Sequence, residues 1–251
     1  MIDKFDKLIV KAKSIKEKFK YEEVIPEGIK TEDIAKTIEH TNLKSTATPE
    51  DIKLLCQEAV ENKFRSVCIH PSYIPVAKEY LSESDVIIVT VIGFPLGMNT
   101  TVNKAKEVEN AISLGADEVD MVINQGRLKA GNYQNVFFDI SKVVKAAGSS
   151  PVKVIIEACN LTDEEKIIAC LLSEEAGAKY VKTSTGFAQH GATLEDVALM
   201  RYTVGPDVLV KAAGGVRDLE MARKMIATGA ALLGTSSGIK ILNGDTVNGG
   251  Y

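Results

Sequence analysis

Eight short apolar runs alternate with helical patterns, three helix-to-strand joints repeat one Gly-Ala phrase, and no linker divides the chain. Together these observations predict an α/β protein, a single (β/α)8 TIM barrel with an extra N-terminal helix. The chain has 251 residues and a mass of 27.1 kDa, and such a barrel routinely takes about 250 residues.

Residues 1–30 read as a helical extension. Ile2, Phe5, Leu8, Ile9, Ala12, Ile15 and Phe19 recur at helical spacing, so one stripe can pack on the end of the fold. Asp3, Asp6, Glu17 and the lack of arginine in this stretch argue against an organelle presequence.

The barrel is expected over residues 31–242, with a flexible tail over 243–251. Its strands are predicted at Thr37–Thr41, Ser66–His70, Val86–Gly93, Glu118–Asn124, Val152–Ala158, Tyr180–Ser184, Val208–Ala213 and Ala231–Gly234. Thr48-Pro49-Glu50-Asp51 opens one helix with a cap, an N1 proline and first-turn acids, and Thr162 with Glu165 opens another at capping-box spacing. Gly115, Gly148, Gly177 and Gly229 close helices where a left-handed residue is wanted. The joints Leu114-Gly115-Ala116, Ala176-Gly177-Ala178 and Thr228-Gly229-Ala230 carry the repeated phrase.

Composition narrows the functional classes. Net charge is −4, with no basic stripe interleaved with aromatics, so nucleic acid is not an expected partner. The longest apolar run, Val86 to Phe94, is far short of the roughly 20 residues of a membrane-spanning helix. Cys56, Cys68, Cys159 and Cys170 form no C-x-x-C pair, and no secretory segment opens the chain, so a reducing cytoplasm is the expected location. His40, His70 and His190 lack metal-binding spacing, so neither a metal nor another cofactor is expected.

The chemistry is expected at two lysines near the carboxyl ends of strands, Lys182 and Lys211. An amine in an apolar site beside a second cation is more readily available as the neutral nucleophile that attacks a carbonyl, which points to Schiff-base catalysis. Alternation along Glu118–Asn124 sends Glu118, Asp120 and Asn124 into the barrel and Val119, Met121 and Ile123 toward the helices, so Asp120 can reach the lysines and shuttle protons. Lys153 and Glu157 share a strand face as a structural salt bridge, and Cys68 is read as a small core residue.

Gly214-Gly215 after the seventh strand and Gly234-Thr235-Ser236-Ser237 after the eighth fall where such barrels bind phosphate, and Gly186 after the sixth can join them. A sugar phosphate is the expected small-molecule partner. Two other readings stay open at this stage: a Schiff-base aldolase or transaldolase acting on a different sugar phosphate, and a non-catalytic barrel that binds a phosphorylated ligand.

Five segments then make a specific match in order: Val91–Gly97, Gly115–Asn124, Lys153–Glu157, Val181–Phe187 and Val210–Arg217. From about Ile38 to Ser237 the chain resembles the deoxyribose-phosphate aldolase family of class I, Schiff-base-forming aldolases. The resemblance implies reversible, metal-independent cleavage of 2-deoxy-D-ribose 5-phosphate into D-glyceraldehyde 3-phosphate and acetaldehyde. It implies Lys182 as the Schiff-base residue, Asp120 and Lys211 as proton donors and acceptors, and Gly186, Gly214, Gly215, Gly234, Ser236 and Ser237 around the phosphate. Tyr251 at the end of the tail is a further candidate for protonating the enamine, and Lys153, Cys68 and Thr41 are subsidiary candidates. A homo-oligomer, dimer or higher, is implied as well. Departures at Glu39, Asn160 and His190 are expected to touch the pocket rim rather than the two lysines.

Overall fold

Eight parallel strands close on themselves in sequence order, each hydrogen-bonded to the next and the last to the first. The computed structural model describes residues 4–246, so Tyr251 lies outside the described residues. The chain runs α1 (Lys4–Lys18), α2 (Thr31–Ala35), β1 (Ile38–Asn42), α3 (Pro49–Glu61), β2 (Ser66–Ile69), α4 (Ile74–Leu81), β3 (Ile87–Ile92) and α5 (Thr101–Leu114). It continues through β4 (Glu118–Val122), α6 (Gln125–Lys129), α7 (Tyr133–Ala147), β5 (Val152–Ile155), α8 (Asp163–Glu175) and β6 (Tyr180–Lys182). The last units are α9 (Leu194–Thr203), β7 (Leu209–Ala213), α10 (Leu219–Thr228), β8 (Ala230–Thr235) and α11 (Gly238–Leu242). The fold is a (β/α)8 TIM barrel preceded by an N-terminal helix.

Local chemistry accounts for the punctuation. The Thr48 hydroxyl accepts from the Asp51 N–H while the Asp51 carboxylate accepts from the Thr48 N–H, and Thr162 and Glu165 make the same reciprocal pair at the start of α8. Each box satisfies N–H groups that the first helical turn leaves without partners. At the end of α10, Gly229 has φ +120°, and a Cβ there would stand 2.5 Å from Arg201 Cγ, so both conformation and space demand glycine. Gly148 also has positive φ, but with ψ −113° it lies outside the left-handed helical region expected for it.

The main core fills the layer between barrel and helices. Val119 and Met121 of β4, Val154 of β5 and Val210 and Ala212 of β7 pack outward against residues such as Val108, Ile140, Ile168 and Met225. Burying one such side chain contributes roughly 1.5–3 kcal/mol. The alternate residues of the same strands face the barrel interior, where a smaller apolar cluster of Leu43, Cys68, Val89 and Val91 sits under Phe94. Helix α1 buries Leu8 and Ala12 against α8, with Phe5 on Phe137 and Phe19 on Tyr202 at ring centroid distances of 6.0 and 5.5 Å. Among the described residues, no helix is long and apolar enough to cross a membrane.

Two strands are shorter than their apolar runs. β5 stops at Ile155 because Glu157 turns into a left-handed conformation (φ 56°), followed by a 3-10 turn over Ala158–Asn160. β6 stops at Lys182, so this lysine is the last residue of its strand and Ser184 lies beyond it. Asn124, expected on the inner face of β4, instead caps α6, its side chain accepting from the Arg127 N–H at 3.0 Å.

Candidate active site

Strand alternation and barrel closure bring the inward side chains of five strands to one point. Lys182 Nζ donates to Asp120 Oδ2 at 2.8 Å, and Lys211 Nζ donates to the same oxygen at 2.7 Å. Lys182 and Lys211 face each other across β6 and β7, and Asp120 reaches both from β4. Asp120 and Lys211 are fully buried and Lys182 is 3% exposed. Two amines on one carboxylate oxygen, at the carboxyl end of the barrel, form an arrangement in which one amine can react while the other stays charged.

The electrostatics fix which groups carry charge. Burial alone would raise the Asp120 carboxyl, but Lys153, Lys182 and Lys211 outweigh it and hold it well below the usual carboxylate range. Burial would lower the Lys211 ammonium, yet Asp120 and Glu39 hold it well above the ordinary lysine range. Lys211 is therefore a cation beside Lys182 at neutral pH.

The network is larger than two lysines and an aspartate. Lys153 Nζ lies 2.5 Å from Glu118, 3.2 Å from Glu39 and 3.2 Å from Asp120. The expected Lys153–Glu157 pair does not form. The left-handed turn carries Glu157 off the strand face, and its carboxylate accepts from the Thr185 N–H at 3.1 Å and from the Thr185 hydroxyl. Glu39 bonds Lys211 directly and also contacts Arg65 at 3.2 Å, so it belongs to the lysine cluster rather than the rim. The first strand points Glu39 inward, and closure of β1 on β8 sets it one strand away from β7, within reach of Lys211. Sequence alternation on β1 contained that signal, but nothing local indicated which lysine Glu39 would meet.

Other candidates fall into supporting places. The Thr41 hydroxyl donates to the Glu39 carbonyl at 3.0 Å. Cys68 faces the barrel interior, and burial pushes its thiol up, so it remains a neutral SH. The Asn160 amide donates to Gln125 at 2.9 Å. Exposed His190 bonds the neighbouring Gly191 carbonyl at 2.9 Å through Nδ1. The Ser184 hydroxyl, missed by sequence reasoning, is buried two residues past Lys182 and has no partner among the described residues.

The loops after β6, β7 and β8 form one wall. Gly214 and Gly215 have φ of +66° and +75°, and a Cβ on Gly215 would stand 2.3 Å from the Ala192 carbonyl oxygen. The β6–α9 loop thus rests directly on the glycine pair. Gly234 lies within β8, not in the loop beyond it, and its carbonyl accepts from the Gly214 N–H at 3.2 Å. The Ser237 N–H donates to the Thr235 hydroxyl at 3.1 Å. Phe94 and Phe187 meet edge to face at 5.3 Å over the mouth.

The DeoC/LacD family aldolase profile matches residues 33–244, which spans all eight strands and their lysines. The chain belongs to this family. It is 58% identical over 219 residues to a deoxyribose-phosphate aldolase from Geobacillus sp. (strain WCH70), covering 87% of this chain and 98% of that one. Identity to the deoxyribose-phosphate aldolase of Streptococcus suis (strain 98HAH33) is 56% over 216 residues, covering 86% and 98%. The tetrameric deoxyribose phosphate aldolase from Aeropyrum pernix superposes with a TM-score of 0.81 at 31% identity, over 94% of this chain and 95% of that one. The chain is thus a carbon–carbon lyase by family.

Proposed function

We propose that this aldolase cleaves 2-deoxy-D-ribose 5-phosphate reversibly into D-glyceraldehyde 3-phosphate and acetaldehyde, through a Schiff base on Lys182. The observation that carries the reading is the shared Asp120 oxygen, on which Lys182 and Lys211 both donate.

The free amine of Lys182 attacks the C1 aldehyde of the open-chain sugar, and loss of water gives a protonated imine. The 3-hydroxyl loses its proton, the C2–C3 bond breaks, and its electron pair moves into the imine to give an enamine while C3 becomes the aldehyde of the three-carbon product. A proton then adds to C2, and hydrolysis releases acetaldehyde and restores the amine. Asp120, a carboxylate at rest, accepts protons, and Lys211, an ammonium at rest, supplies them. The Ser184 hydroxyl offers a buried hydrogen bond to a substrate oxygen at the same strand end.

The phosphate is held at the far side by the Gly186, Gly214–Gly215 and Ser236–Ser237 wall. The Gly214 and Ser237 N–H groups already have internal partners, so the anion falls to Gly186, Gly215, Ser236 and the serine hydroxyls. Gly234 serves that wall indirectly, by fixing Gly214. A homo-oligomer in the cytoplasm is part of this reading. The tetrameric Aeropyrum pernix relative supports the assembly, and the four free cysteines fit a reducing compartment.

The deciding experiment reduces enzyme plus acetaldehyde with borohydride and maps the modified peptide. The label is expected on Lys182, and a label on any other residue overturns the mechanism. A coupled assay for D-glyceraldehyde 3-phosphate release from deoxyribose 5-phosphate, against ketose phosphates, tests the substrate.

A further inference from the structure

Below the reactive lysine, a line of charges runs through the barrel toward its amino-terminal end. Arg65, just ahead of β2, grips Glu118 with both terminal guanidinium nitrogens, at 3.1 and 2.6 Å, and contacts Glu39 at 3.2 Å. Glu118 contacts Lys153, Lys153 contacts Asp120, and Asp120 holds Lys182 and Lys211. Only Arg65, with its side chain 23% exposed, touches solvent appreciably; the others are at most 6% exposed. The Arg65–Glu118 pair takes no part in the chemistry proposed above.

The inward groups can be counted strand by strand. β1 brings Glu39, the residue just ahead of β2 is Arg65, β2 brings Cys68, β4 brings Glu118 and Asp120, β5 brings Lys153, β6 brings Tyr180 and Lys182, and β7 brings Lys211. The inner faces of β3 and β8 contribute Val89, Val91 and Leu232. Burial keeps the Cys68 thiol and the Tyr180 phenol neutral. The strands and Arg65 therefore set four cations against three carboxylates, one positive charge in excess in a space that water does not screen, while the buried Glu157 carboxylate beyond β5 is turned to the Thr185 N–H and hydroxyl. Among the described residues, Lys153 has three carboxylate partners and Lys211 has two, whereas Lys182 has Asp120 alone. Lys182, the residue that has to give up a proton, is thus the lysine of the cluster with the fewest carboxylates against it.

We propose that Arg65 and Glu118 are positioning residues that set the charge balance of the lysine cluster, and thereby the pH at which Lys182 becomes nucleophilic. Arg65 supplies the cation that tips the balance positive, and Glu118 passes its effect upward through Lys153. Loss of the arginine leaves the cluster neutral with every lysine protonated, so Lys182 keeps its proton to higher pH. Loss of the Glu118 charge adds a second excess positive charge and drives the proton off at lower pH. The proposal rests on Lys182 as the imine-forming residue.

The test measures kcat/KM for deoxyribose 5-phosphate cleavage from pH 5 to pH 9, whose acidic limb reports the essential base of the free enzyme. Arg65→Gln is expected to move that limb up, and Glu118→Gln to move it down, each by about one pH unit. The double variant Arg65→Gln/Glu118→Gln is expected to bring it back close to the parent, and Arg65→Lys to leave it in place. Substrate phosphate titration is common to all these proteins and cancels. A purely structural pair would slow all the variants without moving the limb, or move both single variants the same way, and either result overturns the proposal. If one single variant does not fold, the sign of the other decides. Borohydride trapping on the parent separates the two levels: a label away from Lys182 removes the mechanism itself, whereas a label on Lys182 with unmoved limbs removes only the role of Arg65 and Glu118.

Discussion

Lys182 and Lys211 are register partners on adjacent parallel strands. Neighbouring strands lie about 4.8 Å apart, and partners in register point to the same face, so the backbone itself holds the two amines together. Asp120 completes the arrangement by accepting from both on one oxygen.

Lys182→Met should abolish imine trapping and lower kcat/KM by at least about 10⁴-fold, because the covalent route disappears. Asp120→Asn keeps the shape but removes the proton acceptor, and a loss of about 10²–10⁴-fold, chiefly in kcat, is expected. Steady-state assays with intact-mass detection of the reduced adduct check both.

Glu39→Leu leaves Lys211 and Lys153 each short of a carboxylate inside the barrel, and breaking a buried pair from one side costs about 3–5 kcal/mol. Denaturant unfolding should show that loss. A rim residue would cost under about 0.5 kcal/mol, so a change that small would contradict the place found for Glu39.

Gly215→Ala puts a methyl group at φ +75°, 2.3 Å from the Ala192 carbonyl. The left-handed conformation alone costs about 1–2 kcal/mol, and the β6–α9 loop must also shift. KM for the phosphorylated substrate should rise more than kcat falls. Trapping with acetaldehyde, which has no phosphate, should be nearly unaffected.

His40 points out of the barrel, its Nε2 2.8 Å from Glu58. Burial lowers its pKa below 6.5 and outweighs the opposing pull of Glu58. The folded state thus binds this proton less readily than the unfolded chain, so the stability from neutral His40 is full above about pH 6.5 and is lost as pH falls through the folded value. Thermal melts of His40→Gln should lose less stability between pH 7.5 and pH 5.5 than those of the parent.

Much of this enzyme was legible before any tertiary contact was known, because the deciding signals are local. Period-two alternation along Glu118–Val122 sends Asp120 inward whatever else the chain does, and the apolar runs that carry Lys182 as their last residue and Lys211 two residues before the end put both amines toward the reactive end. Capping chemistry at Thr48 and Thr162 set two helix starts to the residue. Where a strand would stop was less legible, since the turn at Glu157 overrides an apolar run that continues past it.

Sequence by itself determined the eight-unit barrel, the inward carboxylate and the two reactive-end lysines, since each follows from spacing within a few residues. Tertiary structure decided the pairings. Glu39 lies 172 positions from Lys211, and only closure of the first strand on the last brings that carboxylate to that amine. Electrostatic partners in a barrel are chosen by register across strands, a quantity that no stretch of sequence carries alone.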